Sequence, residues 1–329
     1  MKGPAKGTSG SASTVQVVRV PEWARWPWLA HGFSTRLGGV SLLAQSRSRT
    51  GNDLNLAPGK WDPSENVAEN HRRLLAALRV EPMRLVSLNQ IHSDLIRVLN
   101  GHPEAGRKKA LTGDGLLTDL PGLLLSVQVA DCLPILLVDV RQRVVAALHC
   151  GWRGTVRRLA QKGVGLMKQK FGARETDLRA ALGPGIRVCC YLVGLDVLEE
   201  FEGQFPYASQ LFQKRLPPSE PLESRFRLPF ANFPQAVGPA HDERFYLDLV
   251  QANVMQLQEA GIPNRQIYSE APCTCCHPDL FFSYRRDGAM SGRLMGVVGI
   301  REQEDRNPIR WKARTKAIQA QHDQENPTK

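Results

Sequence analysis

The sequence predicts a mixed α/β (α+β) fold, a single globular domain with mixed β-sheets flanked by helices. Three observations carry this reading. Short apolar or β-branched runs recur at 85–89, 95–99, 122–129, 133–138, 143–149, 178–183 and 295–300. Apolar residues also recur at helical spacing in stretches that begin near 62, 154 and 246. Finally, no internal repeat divides the chain, and 329 residues that are 42% hydrophobic can bury a sizeable core.

Taken in order, residues 1–14 are Gly-, Ser- and Lys-rich and read as a disordered leader. A single folded domain is expected over 15–301. Asp62-Pro63-Ser64-Glu65 reads as a helix start, with Asp62 at the N-cap and Pro63 at the first helical position. Val67, Leu74, Leu75 and Leu78 then form the buried stripe. A second helix begins near Gly154-Thr155 and buries Val156, Leu159, Ala160, Met167 and Phe171. A third covers about 246–260. Residues 203–243 hold seven prolines and read as an irregular surface insertion. The charged stretch 302–329 reads as a disordered tail.

The charge balance is basic, with 43 Lys and Arg against 32 Asp and Glu. These cations are spread along the chain without a block of five, so anionic small substrates are expected rather than nucleic acid. The longest apolar stretch, Leu116 to Val140, is broken by Asp119, Pro121, Asp131 and Pro134, which excludes a membrane-spanning helix there. Seven cysteines and no secretory signal favour free or metal-bound thiols in a reducing, cytoplasmic setting.

The runs Cys132–Val138 and Arg143–His149 flank a four-residue connection and predict an antiparallel hairpin. Pairing 138 with 143 sets Cys132 opposite His149, on one face. Directly opposed β-carbons lie about 4.5–5.5 Å apart. A thiolate and an imidazole so placed can share one metal ion, or act as nucleophile and base. After the hairpin, Gly151-Trp152-Arg153-Gly154 turns into a helix. Its amides and Arg153 suit an anion. Cys150 points to the other strand face and is not enlisted. The second cysteine group, Cys273-Thr-Cys275-Cys276-His277, is too compact for a four-ligand metal site without outside help, and packing or a redox-sensitive pair is the expected role.

Several motifs occur in order: His31-Gly-Phe-Ser-Thr-Arg36, Gln90-Ile-His92-Ser93, Gly113-Asp-Gly115, Ala130-Asp-Cys132, His149-Cys-Gly-Trp-Arg-Gly154, Leu182-Gly-Pro184, Tyr246-Leu-Asp-Leu249 and Phe281-Phe-Ser-Tyr-Arg-Arg286. Together these closely resemble the laccase-domain family, also called multicopper polyphenol oxidase-like proteins, some of which are described as purine nucleoside phosphorylases. The resemblance spans about 30–300. It departs in Cys150 where the family usually has Ala, in Ile91 for Val, and in a longer 203–243 segment. It implies a metal site formed by His92, Cys132 and His149, with Zn2+ as the expected ion and copper as the second candidate.

The resemblance further implies phosphorolysis of adenosine, inosine and S-methyl-5'-thioadenosine, with adenosine deamination beside it. Purine nucleosides and phosphate are then the expected partners. Arg36 and Arg153 are candidates to hold phosphate, and Asp131 to orient a ligand or move a proton. Two alternatives stand. Copper-dependent phenol oxidation needs several coppers and many histidines, whereas this chain has eight histidines and no His-x-His element. A cysteine hydrolase would use Cys132 as nucleophile and His149 as base.

Overall fold

The strands are apolar along both faces because both faces are covered. A computed structural model describes residues 14–43, 52–60, 62–102, 111–215 and 244–302. Two mixed sheets stack face to face between layers of helix. The first has strands in the order Val17–Val18, Leu29–Ser34, Leu294–Ile300, Leu123–Val129 and Arg84–Val86. The second runs Ile267–Tyr268, Leu178–Leu182, Leu133–Asp139, Val144–Cys150, Gly115–Thr118 and Ile96–Leu99. Phe33, Leu125, Val127 and Val298 from the first sheet meet Leu136, Val138, Val145 and Ala147 from the second in a shared core.

Six α-helices complete the described chain: α1 (Ser64–Leu78), α2 (Trp152–Val156), α3 (Leu159–Phe171), α4 (Leu195–Gln204), α5 (Leu249–Glu259) and α6 (Tyr284–Asp287). Leu74 and Leu78 of α1 cover the outer face of the first sheet at Ala30, Leu124 and Val297. On the far side, α3, α4 and α5 cover Ile135, Leu137, Ala146 and Leu148 of the second sheet through Val164, Met167, Phe201 and Leu257. Strands buried on both faces lose the alternation of a half-wet sheet, hence the continuous apolar runs in the sequence.

The hairpin forms, but two residues out of the expected register. Val138 pairs with Val145, and Pro134 with His149. The cause is Asp139, which the expectation placed in the turn. It pairs with Val144 instead, and its Oδ1 accepts from the backbone N–H groups of Arg141 and Gln142 at 2.8 and 2.7 Å. An Asx-type turn is thereby moved one residue along, with Arg143 in the left-handed region at φ 54°. An even slip keeps every side chain on its face, whereas an odd one would have reversed them.

Three other boundaries differ. Pro63, not Asp62, precedes α1, because the Asp62 carboxylate accepts from Ser41 Oγ and Asn55 Nδ2, both at 2.7 Å. The second expected helix is broken by Arg158 at φ 62° into α2 and α3. The third starts at Leu249, after the strand Arg244–Leu247, with Asp248 capping through Gln251 N–H at 2.9 Å. Within 203–243, residues up to 215 are regular: α4 ends at Gln204, the strand Phe212–Arg215 follows, and Phe205, Ala208 and Leu211 are buried. The remaining part of that segment, and nearly all of the expected leader and tail, lie outside the described residues. Among the described residues no helix is long and apolar enough to cross a membrane.

Candidate metal centre

The site is built where the hairpin's open end meets the start of α2. His149 is the penultimate residue of strand Val144–Cys150, and Cys132 directly precedes strand Leu133–Asp139. His92 comes from the connection between the short strand Leu88–Asn89 and strand Ile96–Leu99. One ligand atom from each of His92, Cys132 and His149 lies within 4.8 Å of the other two. The two imidazole rings are 5.0 Å apart, edge to face.

The residue that organises this group is Asp114, fully buried just ahead of strand Gly115–Thr118. Its Oδ1 accepts from His149 Nδ1 at 2.9 Å and from the His92 backbone N–H at 3.0 Å. Its Oδ2 accepts from Ser93 N–H at 2.6 Å and Ser93 Oγ at 2.7 Å. One carboxylate therefore fixes the ring of one ligand and the backbone of another. His92 sits at φ 57°, a left-handed conformation that these bonds hold in place. With Nδ1 engaged by Asp114, Nε2 is the nitrogen of His149 available for coordination.

Electrostatics reinforce the arrangement. Burial disfavours charge on Cys132, yet the facing His149 and the hydrogen bonds from His149 and His92 bring its thiol down to about 6. Burial likewise disfavours the His149 imidazolium, but Cys132 and Asp114 raise it to about 9. Asp114 resists its own burial through bonds from His149 and Ser93, which hold it well below the usual carboxylate range. Cys150, by contrast, is pushed up by burial and by the negative charges of Cys132 and Asp114, and packs in the core as a neutral thiol.

The donor set suits a borderline-soft divalent ion: one thiolate and two imidazoles, one of them backed by a carboxylate. Space for it is preserved by Gly151, where a Cβ would stand 2.8 Å from Cys132 Sγ and 3.5 Å from His92 Cδ2. An ion held by these three side chains would have a position left open, as catalytic rather than structural zinc sites do.

This triad lines a cavity of 660 Å³. Trp152, Tyr191 and Tyr284 bring aromatic surface to it, and Arg285 and Arg293 bring positive charge. Burial pulls the Arg293 guanidinium below its ordinary value, and its Nη1 donates to the Ser291 carbonyl at 2.6 Å.

The other expected site residues are placed differently. Asp131 lines the cavity at φ 91°, but both carboxylate oxygens are taken: Oδ1 by Thr274 Oγ1 at 2.6 Å, Oδ2 by Arg285 N–H at 2.6 Å and Ser283 Oγ at 3.0 Å. It ties three segments together, and the carboxylate that bonds His149 is that of Asp114. Arg36 does not line the cavity. It is buried, with Nε on Asp53 Oδ1 at 2.8 Å and Nη1 on the Pro278 carbonyl at 2.9 Å. Arg153 is exposed and stacks on its neighbour Trp152, 4.4 Å from the ring centroid. The turn before it opens only the five-residue α2, too short for an anion site of its own.

Sequence reasoning passed over Asp114, Arg293 and Tyr191. The signal for the first was present in Gly113-Asp-Gly115, a carboxylate between two glycines with no turn role of its own. Nothing local marks Arg293 or Tyr191.

Known proteins resemble this chain in sequence and in fold. The chain is 33% identical over 277 residues to purine nucleoside phosphorylase YlmD of Geobacillus stearothermophilus, covering 83% of this chain and 90% of the relative. It is 33% identical over 294 residues to a purine nucleoside phosphorylase of Deinococcus radiodurans, covering 89% and 96%. Among solved structures, the hypothetical protein YfiH of Bacillus licheniformis superposes with a TM-score of 0.71 at 28% identity, over 88% of this chain and 98% of that one. Residues 30–301 match the family model described as multi-copper polyphenol oxidoreductase laccase, and the chain belongs to that family.

Proposed function

We propose that the chain is a metal-dependent purine nucleoside phosphorylase in which His92, Cys132 and His149 hold a Zn2+-class ion. Adenosine, inosine and S-methyl-5'-thioadenosine are its substrates, with phosphate as co-substrate. One observation carries the reading: the three ligating side chains, two arginines and three aromatic side chains share the walls of a single cavity. The relatives named purine nucleoside phosphorylases support it. In phosphorolysis a phosphate oxygen bonds to C1′ of the ribose while the glycosidic C–N bond breaks. The base takes up a proton and leaves, and ribose 1-phosphate remains.

In that reaction Arg285 and Arg293 would neutralise the phosphate, replacing Arg36 and Arg153 in the role. Trp152, Tyr191 and Tyr284 would pack against the purine and exclude water. When bound, the ion supplies an open coordination position and Lewis acidity. Asp114 keeps His149 and the His92 backbone in place for it. The same constellation suits adenosine deamination, in which water replaces the purine amino group.

The test is phosphate-dependent release of hypoxanthine from inosine. Arg293→Ala removes a charge-assisted bond of about 1.5–3 kcal/mol, so the KM for phosphate should rise roughly 10- to 100-fold. Arg36→Ala and Arg153→Ala should leave it near the unsubstituted value in folded protein. Absence of nucleoside turnover at any phosphate level, together with strong phenol oxidation, would overturn the proposal.

A second reading has its own observation. Cys132, His149 and Asp114 form a nucleophile–base–carboxylate chain, with thiol and imidazole poised as an ion pair. For a thiol enzyme, activity would survive chelation and be lost on alkylation. The metal-dependent reading requires chelation to abolish activity and Zn2+ to restore it.

A further inference from the structure

Four cysteines distant from the candidate centre in sequence converge in space. Sγ atoms of Cys189, Cys190, Cys273 and Cys276 all lie within 4.8 Å of one another. Cys276 Sγ is 3.3 Å from that of Cys190 and 3.5 Å from that of Cys189. A tetrahedral ion with sulfur ligands at about 2.3 Å spaces those sulfurs about 3.8 Å apart. A disulfide would need about 2.05 Å. The compact 273–277 segment thus receives, from the 189–190 turn, the ligands it lacks by itself.

Two turns present the cysteines. Cys273 and Cys276 stand in the Cys-x-x-Cys spacing common to zinc-binding turns. The backbone N–H groups of Cys276, Arg187 and Cys275 point at Cys273 Sγ. Cys190 N–H bonds the Arg187 carbonyl at 2.9 Å, closing the second turn. The turns are joined where Thr274 N–H donates to the Gly185 carbonyl at 3.1 Å and Arg187 Nη2 donates to the Ala271 carbonyl.

Four thiolates around a divalent ion carry a net charge of −2, and cations surround this group. Arg215 donates to the Val188 and Cys189 carbonyls, and Arg285 to that of Cys190. The Arg187 Nε is buried with no hydrogen-bond partner among the described residues.

We propose that Cys189, Cys190, Cys273 and Cys276 form a second, structural site for a thiophilic divalent ion of the Zn2+ class. The ion clips the 187–190 turn to the 273–276 turn. Its place gives the clip a purpose. Tyr191, next to Cys190, lines the cavity, and Thr274, next to Cys273, holds Asp131. The site fastens two segments that border the cavity without contributing to the reaction.

The experiment uses the full chain purified without added metal. Elemental analysis should give about two zinc ions per chain. Cys189→Ser/Cys276→Ser should lose one equivalent, and His92→Ala should lose the other. To guard against a misfolded variant, the unsubstituted protein is also assayed. Chelation should expose four additional thiols to a colorimetric thiol reagent, beyond Cys132. Peptide mapping without reductant should find all four as free thiols. Cobalt exchanged into His92→Ala should show an intense near-ultraviolet thiolate charge-transfer band. Unchanged zinc content in the double variant, or a disulfide joining Cys276 to Cys189 or Cys190, overturns the proposal. So does iron with sulfide in place of zinc. None of these outcomes bears on whether His92, Cys132 and His149 bind an ion.

Discussion

Asp114 concentrates more of the site in one residue than either histidine does. It accepts from the ring of His149 and the backbone of His92, and it holds Ser93 through both N–H and Oγ. Asp114→Asn keeps the shape but turns one acceptor into a donor that faces other donors. Zinc affinity should fall 10- to 100-fold, as for other carboxylates behind metal-bound histidines, when measured by competition with a chromophoric chelator. Asp131→Asn should instead lower stability with little change in affinity, because its partners Thr274, Ser283 and Arg285 are not ligands. Equal affinity losses in the two variants would show that the roles are not divided in this way.

Another buried residue gives the fold a pH dependence of its own. His31 accepts from Val20 N–H at 3.2 Å and packs 5.0 Å from the Trp23 ring. Burial lowers its pKa from 6.5 to about 4, with the charges of Arg19 and Arg301 adding to the effect. Between those values the unfolded chain binds the extra proton and the folded chain does not. Stability from this group is therefore complete above pH 6.5 and falls as pH drops toward 4, by up to about 3 kcal/mol. Denaturant unfolding of His31→Gln should show a flatter loss over that window. Parallel curves for the two proteins would remove His31 as the cause.

At the level of elements, the hairpin that brings Cys132 and His149 together was legible from two apolar runs and the gap between them. Its register was not, since Asp139 serves equally as a last strand residue or a first turn residue until its carboxylate finds the Arg141 and Gln142 amides. Residues 205–211 were read as irregular because prolines downstream dominate the segment, whereas Phe205 and Leu211 anchor it in the core. The four-cysteine cluster was out of reach, as Cys189 and Cys276 are 87 residues apart. The junction of strand Val144–Cys150 with α2 also makes its own prediction. Gly151 has ordinary backbone angles, φ −74° and ψ 175°, so it is needed for space and not for conformation. Gly151→Ala should cost about 1–3 kcal/mol through overpacking against Cys132 Sγ and should weaken zinc binding. Most of that cost should vanish in a Cys132→Ala background, which a double-mutant cycle would read directly. An additive cycle would place the clash elsewhere.

For the whole molecule, the four layers leave one region whose order depends on charge rather than on apolar contact. His149 and Asp114 are anchored in the second sheet, but His92 is exposed on a connection held by the Asp114 carboxylate. An ion held by His92, Cys132 and His149 would tie that connection to the sheet only in the folded state, so its binding energy would add to stability. At a free concentration 100 times Kd the gain is about 2.7 kcal/mol. For a domain of this size each kcal/mol moves Tm by roughly 2–4 °C. His92→Asn is the informative variant, because Asn tolerates the left-handed backbone that His92 adopts, at φ 57°, and so isolates the ligand from the turn. In excess Zn2+ it should melt roughly 5–10 °C below the unsubstituted chain. In chelator the two should melt together, since an exposed side chain without an ion contributes little packing. The Cys189–Cys276 cluster does not disturb the comparison, because it is the same in both proteins and loses its ion in both under chelation. A gap that persists in chelator would mean that His92 stabilises the fold by contacts of its own and not through a shared ion.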